Sequence, residues 1–388
     1  MRSPHRLFAL CFLLLLSVLA PTACRSSRTG APTATPTRTV MAPPLARTDE
    51  APAAEAATAT PTTAALTVAD ITPLLPVADL PADVSPLTGL KVADPTLLKR
   101  MPAAVKISNS PIARPQSGLS RADVVVEHLA EGDITRFTAI FHSQNAERIG
   151  SIRSARLLDL ELPVLFGAYL IYSGASGEVN RMIEASDFAN RTASDERKDA
   201  AFYRLDIPGR AYEHTLFTDS ELLAQYAEDQ GWTEAPQARG WQWSATPGPQ
   251  AQPATWIEIP YGSQFSDVSY DYDTARQSYA RSILGTPHID DLNGEQLHAA
   301  NVVVLYVPHV ETLIVEDALG SKSLQIQLWG QGRMQLFRDG TVQQGVWLRP
   351  QREDPLLFAA PDLKTPLMLK PGNVWLQIVP VEMAVKSR

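Results

Sequence analysis

The stretch DVVVEHLAEGDITRFTAIFHS, Asp123–Ser143, decides the fold class. Asp123–Leu129 is dense in valine, the side chain that packs best on a pleated surface. From Arg136 onward, Phe137, Ala139 and Phe141 alternate with Thr138, Ile140 and His142, the period of two that gives a strand two faces. The link EGDIT between the runs is short, so the spacing predicts an antiparallel hairpin. On either side, Ala103–Ser108 and Ala168–Ser173 (AYLIYS) read as further strands. Ser154–Leu162 (SARLLDLEL) reads as a helix limited by Pro163, the turn GASG (174–177) precedes a helix-like EVNRMIEASDFA, and Asp219–Asp229 reads as another helix. Strands alternating with helices predict an α/β-layer domain over residues 85–233.

Residues 236–253 (PQARGWQWSATPGPQAQP) are rich in Pro, Gly and Gln, and predict an interdomain linker over 234–254. Beyond it the pattern changes. Trp256–Tyr261, Val268–Tyr272, Ser278–Ile283, Asn301–Val307, Ser323–Trp329, Arg333–Phe337, Thr341–Leu348 and Val374–Val379 read as strands. Asp339-Gly340 between two of them is the dipeptide of a type I′ hairpin, and Asn293-Gly294 is a similar turn. The fold class is therefore α+β: an N-terminal α/β-layer domain followed by a mostly antiparallel β domain over 255–388.

The first 23 residues have the form of an export signal. Arg2 and Arg6 precede fourteen almost wholly apolar residues, Leu7–Ala20. That run is shorter than the roughly 20 residues that span a bilayer. Ala23 then precedes Cys24, as in a bacterial lipoprotein signal, although Pro21 stands where such signals prefer leucine. The other cysteine, Cys11, lies within the signal, so a disulfide framework, a multi-cysteine zinc site and thiol catalysis are excluded. Lipidation of Cys24 predicts an extracytoplasmic protein held to the cell membrane, or a secreted one if the lipid signal is unused. Residues 25–84 contain fifteen Ala, twelve Thr and nine Pro and no aromatic residue. Such a segment buries too little apolar area to offset its ordering entropy, and 24–84 reads as a disordered tether. The net charge of −8 argues against a nucleic-acid partner.

The most polar cluster lies between Asn109 and Arg156. Arg153 and Arg156 are three apart at an expected helix start and so would share a face. With Arg114, Arg136, Asn109 and Gln116 they would line an anion site, sharing a crevice with the GASG turn if both turns reach one sheet edge. The alternative is that these arginines pair with Asp123, Glu127 and Glu131 as structural ion pairs. His214, in RAYEHTLFT (210–218), is a candidate general base or a turn-stabilising residue. No HExxH, GxSxG or Walker-type loop is present. Asp271, Asp273, Asp290 and Asp291 fit no EF-hand spacing, and no metal or cofactor is expected. Trp256, Trp329, Trp347 and Trp375 on expected strands read as core residues rather than a carbohydrate platform.

The segments SPLTGL (85–90), ISNSPIARPQSGLSRADVVVEHLAEGDITRF (107–137), ERIGSIRSAR (147–156) and HTLFT (214–218) together resemble the bacterial family of unknown function typified by the YerB lipoprotein. SYARSILGTPHID, NVVVLYV, the RDG hairpin and KPGNVWLQIVP resemble its second domain, so the likeness spans roughly 85–384. The resemblance implies a membrane-anchored, extracytoplasmic protein of two domains lipidated at Cys24. It carries no established activity. Its shared motif falls on Asn109, Arg114, Gln116, Glu127, Arg136, Arg153, Arg156 and His214, with Thr215 where that family usually has Asn.

Three functions follow as expectations. The first is an envelope lipoprotein that binds an anionic wall polymer, phospholipid head group or peptide carboxylate through the arginines. The second is an envelope hydrolase or phosphotransferase using Glu127 or Glu131, with His214 as helper. The third is a scaffold that binds another envelope protein through the β domain.

Overall fold

The computed structural model describes residues 74–75, 80–233, 239–262 and 264–388. The expected signal, Cys24, residues 234–238 of the expected linker and most of the tether lie outside the described residues.

The N-terminal half supplies β1 (Ala103–Ser108), β2 (Val124–Leu129), β3 (Thr135–Phe141), β4 (Tyr169–Tyr172) and β5 (Thr192–Ser194). It also supplies short helices α1 (Leu162–Phe166), α2 (Gly177–Glu184) and α3 (Ser220–Asp229). The C-terminal half supplies β6 (Trp256–Ile259), β7 (Val268–Asp273), β8 (Ser278–Ile283), β9 (Asn301–Val307), β10 (His309–Val315), β11 (Lys322–Ile326), β12 (Gly330–Arg338), β13 (Thr341–Arg349), β14 (Leu357–Ala359) and β15 (Val374–Pro380). The protein is mostly β with few helices.

The two halves share one sheet, in the order β14-β13-β12-β9-β15-β2-β3-β1-β4-β5. The seam is β15 against β2, parallel, from Val124 opposite Val374 to His128 opposite Ile378. β2 and β3 form the expected antiparallel hairpin. β15 also lies parallel to β9, an exception to the antiparallel pattern expected of the C-terminal half. Strand alternation divides the core in two. Val125, Phe137, Val302, Val304 and Trp375 face a second sheet built on β6, β7 and β8, whose Ile257, Tyr270 and Tyr279 pack against them. Val124, Val126, Val303, Leu376 and Ile378 face the other way, toward Leu158, Leu162, Phe166 and Val179 of the helical layer.

That helical layer is thinner than expected. Arg156 is extended (φ −133°, ψ 171°), and a 3-10 turn begins only at Leu157. Arg153 and Arg156 therefore do not share a helical face. Pro163 lies in the first turn of α1, where its missing N–H has no intrahelical role, so it opens a helix rather than limiting one. α3 is capped as its sequence predicts, with the Asp219 carboxylate accepting the Leu222 N–H at 2.8 Å.

The β12–β13 hairpin turns at Asp339 (φ 53°) and Gly340 (φ 69°), the type I′ geometry. A Cβ on Gly340 would stand 2.9 Å from the Tyr272 ring, so close approach as well as conformation favours glycine. The described residues of the expected linker are packed. Trp241 is buried, stacks on Phe358 at 5.6 Å between ring centroids, and donates from Nε1 to the Leu356 carbonyl at 3.0 Å. Leu74, within the expected tether, is buried against Leu348 and Leu357. No helix among the described residues is long and apolar enough to cross a membrane.

Candidate functional site

The polar residues singled out from sequence fall on opposite faces of β1–β3. Asn109, Arg114, Gln116 and Glu127 lie on the side of the second sheet. Arg136 and Arg156 gather on the helical side around Glu131, with Arg153 and His214 electrostatically coupled to them. The sheet separates the two groups, so the six expected ligand-binding residues do not line one crevice.

The first group is a closed network. Glu127 is fully buried, accepting from Thr135 Oγ1 at 2.7 Å and Asn109 Nδ2 at 3.3 Å, and paired with Arg281 at 2.9 Å. Arg281 donates from Nε to His288 Nδ1 at 3.0 Å and from Nη1 to the Tyr270 hydroxyl at 2.7 Å. With Nδ1 accepting, His288 carries its proton on Nε2 and donates to Gln116 Oε1 at 2.7 Å. Burial, then the Arg281 charge, pushes His288 well below the usual histidine range and keeps it neutral. Gln116 Nε2 donates to the Ser108 carbonyl and to Asn109 Oδ1, which also accepts from Arg114. Arg114 Nη2 reaches the Asn109 and Phe265 carbonyls. These residues hold the halves together. Glu127, a candidate acid or base from sequence, is sealed between two sheets. Asp290, read from sequence as a solvated acid, is fully buried and grips the N–H groups of Gly118 and Ser120 at 2.8 and 2.7 Å.

The second group is only partly closed. Glu131 lies between Arg136 Nη2 and Arg156 Nε, each at 2.5 Å, and Arg156 Nη2 also bonds it. Burial would raise the Glu131 carboxyl, but the Arg156 hydrogen bonds and the two guanidinium charges outweigh it and hold the group down to about 2. A carboxyl so strongly ionised is a poor proton donor near neutral pH. Beneath it, Lys106 meets Asp159 at 2.8 Å and donates to His128 Nε2 at 2.7 Å.

Arg153 is the arginine of this group without a carboxylate partner. Its Nη1 reaches the Glu213 carbonyl at 3.4 Å, and no carboxylate lies within salt-bridge distance among the described residues. Its backbone is tied to both strands, since the Arg153 N–H bonds the Lys106 carbonyl in β1, and the N–H of Ser173, just after β4, bonds the Arg153 carbonyl, each at 3.0 Å. Arg153 thus sits where β1 and β4 end, beside the GASG turn, at the carboxyl edge of parallel strands. In that turn the Ser176 hydroxyl is buried without a hydrogen-bond partner among the described residues. His214 is buried, its Nδ1 also without a partner among the described residues. Burial first, then the Arg153 charge, lowers His214 below its ordinary range, so it is neutral near pH 7.

Sequence reasoning did not single out Glu316. It follows β10, its side chain has no exposure, and its Oε2 lies 3.5 Å from Arg156 Nε. Neither Glu316 oxygen has a hydrogen-bond partner among the described residues. Arg136 and Arg156 thus face Glu131 and Glu316, while Arg153 feels Glu213 more strongly than Glu131. The long sequence separation of Glu316 from the arginines hid it. No group of histidine, cysteine and acidic residues with metal-holding geometry is present among the described residues.

A family model described as the N-terminal domain of a protein of unknown function (DUF3048) matches residues 87–233. The model for the C-terminal domain of the same description matches residues 257–376. Over 300 residues the chain is 31% identical to a Bacillus subtilis (strain 168) protein named "Putative lipoprotein YerB", covering 76% of this chain and 86% of that protein. The crystal structure of YerB protein from Bacillus subtilis matches with a TM-score of 0.65 at 29% identity, covering 78% of this chain and 99% of that one.

Proposed function

This chain belongs to the DUF3048 family, and from that premise we propose that it is an extracytoplasmic lipoprotein, anchored through Cys24, that binds an anionic ligand at Arg153. The lipoprotein reading rests on the name of the relative and on the signal-like N-terminus. The ligand reading rests on one observation: among the described residues Arg153 is a half-buried guanidinium with no carboxylate within salt-bridge distance, Glu213 acting on it from farther off, and it acts in turn on His214, whose Nδ1 has no partner there. Arg136 and Arg156 stand behind it, balanced by Glu131 and Glu316, in a partly desolvated setting where charge is screened least. The ligand is a phosphate-bearing or carboxylate-bearing envelope molecule. Titration of the full-length chain in detergent with short poly(glycerol phosphate) tests this. Binding that Arg153→Ala abolishes, at unchanged melting temperature, supports the reading. Equal binding by both proteins refutes it.

A second reading has its own support. The β10–β11 hairpin holds Leu313 and Leu319 at 92% exposure, which suits contact with an envelope protein. A pull-down lost in Leu313→Asp/Leu319→Asp but kept in Arg153→Ala would favour it. The enzymatic reading retains His214, since Glu127 is sealed and Glu131 is held ionised.

A further inference from the structure

At the opposite ends of β1 and β4 from Arg153 lies a cavity of about 280 Å³. Met101, Phe141, Tyr169, Leu223, Ala227 and Trp232 form much of its wall. Trp232 is held in place. Its Nε1 donates to the Asn190 carbonyl at 2.8 Å, and its ring lies 5.1 Å from Tyr169 and 5.5 Å from Tyr226 between centroids. The wall is thus aromatic and built before any ligand arrives.

The rim carries charge. Lys99 and Arg100 line it, against Glu228. Arg100 Nη2 donates to Asn145 Oδ1 at 3.0 Å, and no carboxylate lies within salt-bridge distance of Arg100 among the described residues. Burial lowers the Arg100 pKa, outweighing the opposing pull of Tyr169, Asp94 and Asp123. A carboxylate meets a guanidinium with two parallel hydrogen bonds, which neither a hydroxyl nor an amide reproduces.

We infer that this cavity binds a small amphipathic carboxylate, its ring or short acyl chain against Trp232 and Tyr169 and its carboxylate on Arg100. Volume sets the size. An apolar cavity of roughly 150 Å³ holds benzene, so about 280 Å³ holds a body of roughly ten to twelve non-hydrogen atoms. A diacyl lipid is too large to enter whole. The site shares no residue with the Arg153 cluster, so it stands or falls independently of that reading.

The test is tryptophan fluorescence of the full-length chain titrated with octanoate and, as a neutral isostere, 1-octanol. Saturable octanoate binding about tenfold tighter than octanol is expected. Arg100→Gln should remove that preference and leave octanol binding in place. Ala224→Phe, on the partly exposed side of α3, narrows the cavity and should abolish both. Arg153→Ala should change neither. Absence of saturable binding overturns the site. Equal affinity for octanoate and octanol in the unaltered chain overturns the carboxylate assignment, whether or not Arg100→Gln folds.

Discussion

Glu127 and Arg281, 154 positions apart, form an ion pair of 2.9 Å in which neither side chain has any exposure. Glu127 comes from β2 and Arg281 from β8, so the pair joins the central sheet to the layer over it. Arg281 also lies 4.6 Å from the Trp375 ring centroid on β15, so one guanidinium touches both sides of the seam.

Removing one partner leaves a buried charge without compensation. Arg281→Met should therefore cost about 3–5 kcal/mol, read from urea denaturation. Glu127→Leu/Arg281→Met should recover much of that loss, because the charges then leave together. A double variant as unstable as the sum of the singles would show that the pair is not coupled.

Glu131 makes stability depend on acid. Its folded pKa of about 2 lies below the ordinary 4.5, so the folded state binds the proton less readily than the unfolded chain. The contribution is complete above pH 4.5 and is lost as pH falls toward 2. The shift corresponds to about 3 kcal/mol. Glu131→Gln should flatten that limb of the stability curve, measured by denaturation at pH 2 to 6. An unchanged slope would remove Glu131 from the acid response.

The Arg153 cluster should respond to charge in opposite directions. Arg153→Ala should weaken a phosphate-bearing ligand about tenfold or more. Glu316→Gln removes the carboxylate beside Arg156 and should tighten the same ligand several-fold. Both follow from isothermal titration at two salt concentrations, with the difference shrinking at high salt. If the two variants shift affinity in the same direction, Glu316 does not compete with the ligand.

The family domains should not fold apart. Residues 80–233 alone would expose the β2 edge and the apolar face that β6–β8 covers. Circular dichroism and hydrogen exchange on that fragment should show an unfolded or aggregated chain. Co-expression with 239–388 should restore a soluble pair. A stable, cooperatively melting fragment would sink this expectation.

Strands were legible where burial imposed a short-range pattern. Ala103–Ser108, Ser278–Ile283 and Asn301–Val307 have the bounds that their alternation or apolar runs predict. The Asp339-Gly340 turn is a local signal too, since it needs only two residues with positive φ. Pairing of β2 with β15 left no local trace, because parallel strands distant in sequence are matched by burial alone. The segment 154–162 has a helix-like pattern without being one helix, because Leu157, Leu158 and Leu162 all face the same apolar layer from a 3-10 turn and the start of α1. The polar cluster was legible as a list but not as two groups. Even and odd positions of β1–β3 face opposite ways, so Glu127 and His128, adjacent in sequence, belong to different networks.

The strand order has a consequence for synthesis. A ribosome releases β2 long before β15, and at 5–20 residues per second the delay is roughly ten seconds or more. During that wait one backbone edge of β2 has no neighbour, and Val124–Val126 can pair with any other extended chain. The nascent protein therefore needs a caretaker, or a delivery route that keeps it stretched, until β15 emerges. Truncation near the C-terminus should accordingly produce inclusion bodies rather than a shortened soluble protein.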